Sequence, residues 1–275
     1  MKLSIVIPVY NERRCFNDFW EGLKKAPINK CAFIREVEII IVDDGSTDGT
    51  SQLVKELCDK PFVFDCDTAT NVKFLPQSVN RGKGAALIVG INNTTGDLVL
   101  VQDADLEYSP QDYPILLQPL GDGKADAVFG SRFIGSTRRV LYFWHALANH
   151  FLTFLSNMFC NLNATDMETC YKVMRGALAR SLRLTSKRFG IEPEMVSRLA
   201  RSGARIFEVP ISYSGRTYSE GKKIRARDGV AALYHILKFG IWDRNPFKSG
   251  MEQKFNKVEA ETNKSSQNLP LDKAA

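Results

Sequence analysis

Apolar runs alternate with segments of helical spacing along the first half of the chain. Strands are predicted at residues 3–9, 38–42, 72–75, 97–101 and 127–130. Helices are predicted at about residues 14–26, 84–92 and 110–121, and a further helix after the second strand ends at about residue 59. Because the strands are almost continuously apolar, we expect them to be buried on both faces, as in parallel sheets. The alternation predicts an α/β fold with a mixed, mostly parallel sheet flanked by helices.

The second half has a different pattern, in which helices predominate. Helical segments are predicted at about 139–160, 193–203 and 228–240, with one further strand at 206–209. From about residue 247 the chain is rich in Lys, Glu, Asn, Ser and Gln. We therefore predict a single folded domain over residues 1–245 and a disordered polar tail over residues 246–275.

Polar side chains follow four of the predicted strands or the loops next to them. The clusters are 10–12 (Tyr-Asn-Glu), 43–45 (Asp-Asp-Gly), 80–84 (Asn-Arg-Gly-Lys-Gly) and 103–105 (Asp-Ala-Asp). Open α/β sheets bind ligands at the carboxyl ends of their strands. We therefore expect these clusters to form one nucleotide-binding site.

Asp103, Asp105 and Glu107 place three carboxylates at alternate positions after a buried strand. Like charges this close raise one another's pKa unless a cation lies between them. Mg²⁺ or Mn²⁺, with oxygen ligands from carboxylates and substrate phosphates, is a suitable cation. The pattern thus indicates an enzyme that handles a diphosphate such as a nucleotide-sugar. The alternative is an acidic turn that caps the next helix, near Ser109 and Pro110.

Charge and cysteine usage narrow the class of protein. The 275-residue chain has a net charge of +6 and a pI near 8.9, which suits anionic partners such as phosphates, membrane surfaces or nucleic acid. The alternative is a solvated basic surface. Six cysteines without a Cys-x-x-Cys pair, and only three histidines, argue against zinc and for reduced thiols. With neither a signal peptide nor a transmembrane run expected, the sequence predicts a cytoplasmic protein.

Taken in order, six motifs resemble those of the family 2 glycosyltransferases with the GT-A fold. Within that family the resemblance is greatest to the polyprenyl- and dolichyl-phosphate glycosyltransferases, and it covers about residues 2–243. The motifs are IPVYNE at 7–12, VDDGSTD at 42–48, NRGKG at 80–84, QDADLE at 102–107, GSRF at 130–133, and Arg216 with GKK at 221–223.

The resemblance implies a nucleotide-binding half at residues 1–130 and an acceptor-binding half at residues 131–245. The implied nucleotide-sugar contacts are Pro8, Tyr10, Glu12, Asp43, Asp44, Gly82, Lys83, Asp103 and Ala104. For Asp43, capping of a turn is an equal alternative. The glycines are expected to let the nucleotide approach the backbone. The implied metal ligands for Mg²⁺ or Mn²⁺ are Asp103, Asp105 and Glu107, although many members have Gln at the last position.

The acceptor is less well defined by the sequence. A hydroxyl acceptor needs a carboxylate base, whereas a lipid phosphate is already anionic and needs basic residues instead. Base candidates are Asp166, Glu192 and Glu194. The implied catalytic residues are Asp105, Arg132, Asp166 and Glu194, and the implied phosphate-binding residues are Arg132, His145, Asn149, Arg216 and Lys222. His145 stands where the family usually has Arg or Lys, and a helix-face histidine is its alternative role.

These residues predict a metal-dependent, inverting transferase. It moves a hexose from UDP-glucose or GDP-mannose to a polyprenyl phosphate at the cytoplasmic membrane face, and it binds no nucleic acid. The open alternatives are transfer to a sugar hydroxyl in cell-envelope or exopolysaccharide synthesis, a non-catalytic nucleotide-sugar-binding subunit, and a nucleotidyltransferase. The predicted helix at 139–160 carries many large apolar side chains, so it either packs on the sheet or lies peripherally in a membrane interface.

Overall fold

A computed structural model describes residues 1–66, 68–135, 139–140, 142–217 and 226–242, with side chains of 226–228 excepted. Seven strands form one sheet in the order β3-β2-β1-β4-β6-β5-β7. They are β1 Lys2–Val9, β2 Glu36–Asp43, β3 Ala69–Pro76, β4 Leu98–Val101, β5 Ala127–Ser131, β6 Lys172–Arg175 and β7 Ile206–Pro210. Strand β6 is antiparallel to both of its neighbours, and the other pairs are parallel. The predicted mixed, mostly parallel sheet is confirmed.

Helices flank this sheet in the described part of the chain. They are α1 Phe16–Lys24, α2 Thr50–Cys58, α3 Lys83–Asn92, α4 Tyr113–Gly121, α5 Phe143–Cys160, α6 Gly176–Ser181, α7 Ile191–Arg201 and α8 Ala226–Leu237, which continues into a π-helical turn at Lys238–Trp242. Within the described ranges, none of these helices combines the length and apolar character needed to cross a membrane.

The central strands form the core because almost every side chain on them is apolar. Strands β1, β2 and β4 consist mostly of Ile, Val and Leu, and nearly all of these are fully buried. In the parallel register, Val9 lies opposite Asp43 and Val6 opposite Val101. The carboxyl ends of these three strands therefore meet at one edge of the sheet, where the polar clusters were expected.

Strand β6 and helix α6 were not predicted. Lys172 and Arg175 begin and end a four-residue strand, so no apolar run marks it. Burial of Lys172 is possible because its ammonium donates hydrogen bonds to the carbonyl oxygens of Met167 and Thr169. Two sequence predictions, for Lys222 and for the tail at 246–275, lie outside the described residues.

Candidate active site

The acidic loop after β4 is sharply turned. Leu106 adopts a left-handed φ of +64°, which is uncommon for a residue with a branched side chain and places a turn between Asp105 and Glu107. The backbone N–H of Glu107 donates to Asp105 Oδ1 at 3.2 Å. The loop therefore holds its carboxylates close together at the carboxyl end of β4.

Arg216 lies among these carboxylates and contacts three of them. Its guanidinium is 3.1 Å from Asp105, 3.4 Å from Glu107 and 3.4 Å from Glu12. The Arg216 backbone N–H also donates to Glu107 at 2.9 Å, and the Tyr213 hydroxyl donates to the other Glu107 oxygen at 2.8 Å. One arginine is thus shared by three acids, and both oxygens of Glu107 are engaged.

The pKa values reflect a shortage of positive charge in this cluster. Burial, together with the neighbouring charges of Asp103 and Glu107, raises the pKa of Asp105 to about 7, although Arg216 opposes the shift. Burial would lower the pKa of Arg216, but Asp105, Glu12 and Glu107 outweigh it and raise that pKa. Further positive charge at this point would therefore be favourable.

The metal prediction can be tested against this donor set. Within the described ranges, no group of three or more His, Cys, Asp or Glu side chains is arranged to hold a metal ion. The triad of Asp103, Asp105 and Glu107 is therefore not preassembled. Mg²⁺ and Mn²⁺ are commonly held by one or two carboxylates plus substrate phosphates. Asp103 and Asp105, hard oxygen donors in a site short of positive charge, fit such an ion, and their role as ligands stays a prediction.

Lys83 joins the first turn of α3 to this cluster. Its ammonium lies 2.9 Å from Asp103 and 3.1 Å from Glu192, and its side chain is 20% exposed. Burial would lower the pKa of Lys83, but the charge of Asp103 and then that of Glu192 outweigh it, and the pKa is raised. A permanently charged lysine is therefore fixed beside the acidic loop, as a phosphate-binding role would require.

Asp43 and Asp44, the predicted nucleotide contacts at the end of β2, are both buried and both hold loops. Asp43 accepts from the backbone N–H and the hydroxyl of Ser46, which is the turn-capping arrangement. Asp44 accepts from the backbone N–H groups of Arg81 at 2.8 Å and Gly82 at 2.7 Å. They therefore link the loop after β2 to the loop before α3, and their contact with a nucleotide stays a prediction.

The residues after β1 belong to the same loop system. Asn11, with a φ of +52°, accepts from the backbone N–H of Thr47 at 2.8 Å, and the Asn11 N–H donates to Ser46 at 2.9 Å. Tyr10 beside it is 36% exposed, whereas Ala104 is buried. The predicted nucleotide residues Pro8, Tyr10 and Glu12 are thus brought to the strand edge that also carries Asp44.

The glycines at 82 and 84 have a packing role that the sequence analysis did not identify. A Cβ atom at Gly84 would lie 2.1 Å from the carbonyl oxygen of Ser186, and one at Gly82 would lie 2.4 Å from that of Lys187. The Lys187 carbonyl also accepts from Ala85 N–H at 3.0 Å. These glycines therefore admit another segment of this chain close to the backbone of α3, and the approach of a nucleotide at Gly82 stays a prediction.

Asp166 is a fixed partner of Arg132. The carboxylate is 0% exposed and accepts from Arg132 Nε at 2.6 Å, Nη2 at 2.7 Å and backbone N at 3.1 Å. Asp166 is therefore engaged in fixing Arg132, and the base role expected for Asp166 stays a prediction. Arg132 is held with its guanidinium 5.2 Å from the centre of the Tyr213 ring.

Glu194 is likewise engaged in structural contacts, and the site role expected for it stays a prediction. It is fully buried, accepts from Arg198 at 2.8 Å, and accepts from the backbone N–H groups of Thr185 and Ser186. It therefore holds the segment that contacts Gly84. Glu192, two residues earlier, instead pairs with Lys83, and its Oε2 is buried without a hydrogen-bond partner among the described residues.

His145 and Asn149 lie one turn apart on α5, and both are partly buried. Asn149 accepts from the hydroxyl of Thr153 at 3.3 Å, and the His145 ring packs 5.2 Å from that of Tyr142. Their predicted contact with an acceptor phosphate stays a prediction.

The first 183 residues of the chain carry a family signature. Residues 4–183 match the model described as "Glycosyl transferase family 2". The chain belongs to glycosyl transferase family 2. The seven-stranded sheet with its site at the carboxyl ends of β1, β2 and β4 is the GT-A fold of this family, as the resemblance implied.

This glycosyltransferase is similar to curated enzymes that differ in length. It is 28% identical to the undecaprenyl-phosphate mannosyltransferase of Micrococcus luteus over 251 residues, 88% of this chain and 95% of that one. It is 27% identical to the undecaprenyl-phosphate 4-deoxy-4-formamido-L-arabinose transferase of Edwardsiella ictaluri, covering 80% of this chain but 62% of that one. With the dolichol-phosphate mannosyltransferase of Pyrococcus furiosus, identity is 25%, covering 88% and 65%. The chain thus spans less than two thirds of two of these relatives.

Among solved structures, the glycosyltransferase is similar to glucosyl-3-phosphoglycerate synthase of Mycobacterium tuberculosis. The complex with Mn²⁺, UDP and phosphoglyceric acid superposes with a TM-score of 0.61 at 18% identity, covering 89% of this chain and 80% of that one. A second complex of that enzyme, with Mg²⁺ and UDP, gives a TM-score of 0.59 at 20% identity, covering 88% and 81%. At this identity the likeness establishes the fold.

Two residues of the glycosyltransferase site were missed by the sequence analysis. Tyr213 holds Glu107 and packs on Arg132, and only its place three residues before Arg216 could have drawn attention to it. One side-chain oxygen of Glu168, Oε1, is buried without a hydrogen-bond partner among the described residues, and desolvation followed by the charge of Glu192 raises the pKa of Glu168 to about 8. It stands between Asp166 and Lys172 in the sequence, where no pattern distinguishes it from a structural acid.

Proposed function

We propose that this glycosyltransferase moves a hexose from a nucleotide-sugar, UDP-glucose or GDP-mannose, onto a polyprenyl phosphate. The observation that carries the proposal is the engagement of two of the three expected base residues, Asp166 and Glu194, in buried arginine pairs. Curated relatives named as undecaprenyl-phosphate and dolichol-phosphate transferases support the same acceptor class.

The acceptor argument follows from proton balance. A hydroxyl must lose its proton as it attacks the sugar, so an enzyme acting on it needs an accessible base. Asp166 and Glu194 are fully buried and accept several hydrogen bonds each, and Glu192 is paired with Lys83. A phosphate oxygen is already anionic near neutral pH and needs no base. None of the three expected bases is therefore both accessible and unpaired, which supports a phosphate acceptor over a hydroxyl.

On the donor side, two cations and two acids have distinct roles in the proposal. Asp103 and Asp105 would hold Mg²⁺ or Mn²⁺, which when bound neutralises charge on the departing nucleoside diphosphate. Lys83 and Arg216, both charged and both partly accessible, bind the diphosphate oxygens and stabilise the charge that develops there. Attack from the opposite side of the sugar, as implied by the resemblance, gives inversion.

Transfer can be tested directly with purified protein. The protein is incubated with Mg²⁺ or Mn²⁺, a panel of UDP- and GDP-hexoses and polyprenyl phosphate, and the lipid phase is analysed for sugar. Asp105→Ala is the test variant, and Asp122→Ala, at the end of α4 and paired with Lys124, is the control carboxylate. We expect one donor to give a sugar-lipid that Asp122→Ala still makes and Asp105→Ala does not.

A different result would redirect the proposal. If the protein binds a donor but makes no sugar-lipid from any donor, the proposed lipid acceptor is wrong. The alternative of a hydroxyl acceptor would then be favoured. In that case a glycan hydroxyl would accept the sugar, and activity would depend on Glu192, the one expected base that keeps an unpartnered oxygen within the described residues.

A further inference from the structure

Helix α5 places its largest apolar side chains outward. Six of them are well exposed: Phe143 at 68%, Trp144 at 74%, Leu147 at 48%, Phe151 at 54%, Phe154 at 63% and Met158 at 56%. The buried residues of the helix are Leu152, Thr153 and Ser156, of which two carry hydroxyls. A helix that packs on a sheet normally buries its apolar side and exposes its polar side. Helix α5 does the opposite.

The exposed set is continuous. At about 100° per residue, those six side chains fall within an arc of about 100° along the whole helix. Thr153 and Ser156, with the partly buried His145 and Asn149, lie on the opposite side. The sequence Phe143–Cys160 contains no Asp, Glu, Lys or Arg. The outward side is therefore an uncharged apolar stripe about 27 Å long.

Helix α8 and the turn that follows it also carry exposed large side chains. Helix α8 packs against α5, and the following turn comes so close that a Cβ at Gly240 would lie 2.7 Å from Phe159. Here too large side chains are exposed: Val230 at 71%, Tyr234 at 57% and Trp242 at 68%. We call the nine exposed residues of the two helices the α5–α8 face.

The α5–α8 face adjoins the acceptor side of the site. The backbone N–H of Arg139, four residues before α5, donates to the Tyr213 carbonyl at 2.9 Å. The ring of Phe133, next to Arg132, lies 4.5 Å from that of His150 on α5. A ligand with a long apolar chain bound at Arg132 would therefore have the α5–α8 face beside it.

We propose that the α5–α8 face inserts into the interfacial layer of a lipid bilayer, on the same side as the acceptor. The inference rests on the proposed function, because a polyprenyl acceptor lies in such a bilayer. Exposed Trp, Tyr and Phe side chains on an uncharged stripe suit the boundary between headgroups and acyl chains. A second copy of the chain is the less favoured occupant, because a dimer through this face would cover the approach of the lipid to Arg132.

Tryptophan emission gives a direct test. The chain has three tryptophans, and Trp20 is 2% exposed whereas Trp144 and Trp242 lie in the α5–α8 face. The Trp242→Phe variant is titrated with neutral phosphatidylcholine vesicles, with and without brominated acyl chains. We expect a blue shift and quenching by the brominated lipid, from Trp144, that persist at high salt. Unchanged emission and no co-sedimentation would overturn the proposal.

Matched variants identify the surface. The double variant Phe151→Ser/Phe154→Ser should partition into vesicles at least about tenfold less, since two aromatic side chains no longer insert into the bilayer. Phe207→Ser, 42% exposed on the edge strand β7, should leave it unchanged. Equal loss in both would contradict the proposal. The proposal would also be contradicted if light scattering showed a dimer for the wild-type protein and a monomer for the double variant.

Transfer assays separate this proposal from the proposed function. The double variant should retain wild-type transfer to a short, water-soluble prenyl phosphate and lose about tenfold on long-chain polyprenyl phosphate in vesicles. Equal loss on both acceptors would overturn the docking role. If the wild-type protein transfers sugar to neither acceptor, the proposed function fails, and vesicle binding alone then decides whether the α5–α8 face docks on lipid.

Discussion

Two arginines meet carboxylates at this site in contrasting ways. Arg132 is matched to one acid, Asp166, through two short bonds from its guanidinium at 2.6 and 2.7 Å, and the acid is fully buried. Arg216 is spread over Asp105, Glu107 and Glu12 at 3.1–3.4 Å, and each side chain keeps 11–18% exposure. The first pair has its hydrogen bonds satisfied, whereas the second group has more negative charge than one arginine can balance. The first arrangement therefore fixes Arg132 in one position, whereas the second can take up further positive charge.

Removal of Asp166 should have the largest effect of the changes considered. Asp166→Ala leaves the Arg132 guanidinium buried without its counterion, and breaking such a pair costs about 3–5 kcal/mol of unfolding free energy. Urea unfolding followed by circular dichroism measures the loss. Asp122→Ala, whose partner Lys124 is 65% exposed, should leave stability essentially unchanged. A loss for Asp166→Ala below about 1 kcal/mol would show that the two arginines do not differ as argued.

Removal of Arg216 should affect activity more than stability. Arg216→Ala should lower kcat/KM for transfer about 100-fold, or about 2.7 kcal/mol, because charge on the leaving diphosphate loses a donor. Its unfolding free energy should fall by no more than about 1 kcal/mol, since Asp105, with a pKa of about 7, can take up a proton. The assay and a urea titration are run on the same preparation.

The control for Arg216 is an arginine outside the site that also pairs with a carboxylate. Arg205→Ala removes a side chain that is 45% exposed and bonded to Asp126, just before the amino end of β5. Transfer should be unchanged in that variant. Activity retained by Arg216→Ala, with a stability loss like that of Asp166→Ala, would reverse the assignment of the two arginines.

The same contrast explains what the sequence could reveal. Strands β1 to β5 and β7 were predicted because apolar runs report burial directly, and the acidic loop was found because like charges in close sequence are conspicuous. The partners were not predictable, since Arg216 and Glu12 are 204 residues apart. For Asp166 and Glu194, a family motif indicated a site, but burial against Arg132 and Arg198 depends on packing that no local pattern reports.

A substitution at Gly84 distinguishes a glycine that supports the structure of the site from one that lets the ligand approach. Gly84→Ala should cost about 2–3 kcal/mol of unfolding free energy, because the new Cβ meets the Ser186 carbonyl 2.1 Å away. Thermal or urea unfolding measures it. Gly22→Ala in α1, where nothing lies within 4 Å of the new Cβ, should be neutral or stabilising. Unchanged stability with weakened nucleotide binding would favour the ligand-approach explanation instead.

Glu38 lies at the opposite edge of the sheet, and its substitution has the smallest expected effect on stability. It extends the comparison from arginines to carboxylates. Burial would raise its pKa, but hydrogen bonds from Ser4 and Thr95 and the charge of Lys2 lower it from 4.5 to about 2. A fully bonded carboxylate thus has a low pKa, whereas Asp105 in its charge-poor cluster has a high one.

The sign of the pH dependence follows from that lowered pKa. Because the folded pKa lies below the unfolded one, Glu38 stabilises the fold above about pH 4.5 and loses this as pH falls toward 2. Between pH 5 and 3 the wild type should lose about 1–2 kcal/mol that Glu38→Gln does not lose, measured by urea unfolding at each pH. Glu36→Gln, at a side chain 52% exposed, should keep the wild-type slope. If Glu38→Gln kept that slope as well, hydrogen bonding would not be what lowers the pKa of Glu38, and the contrast with Asp105 would have to rest on net charge alone.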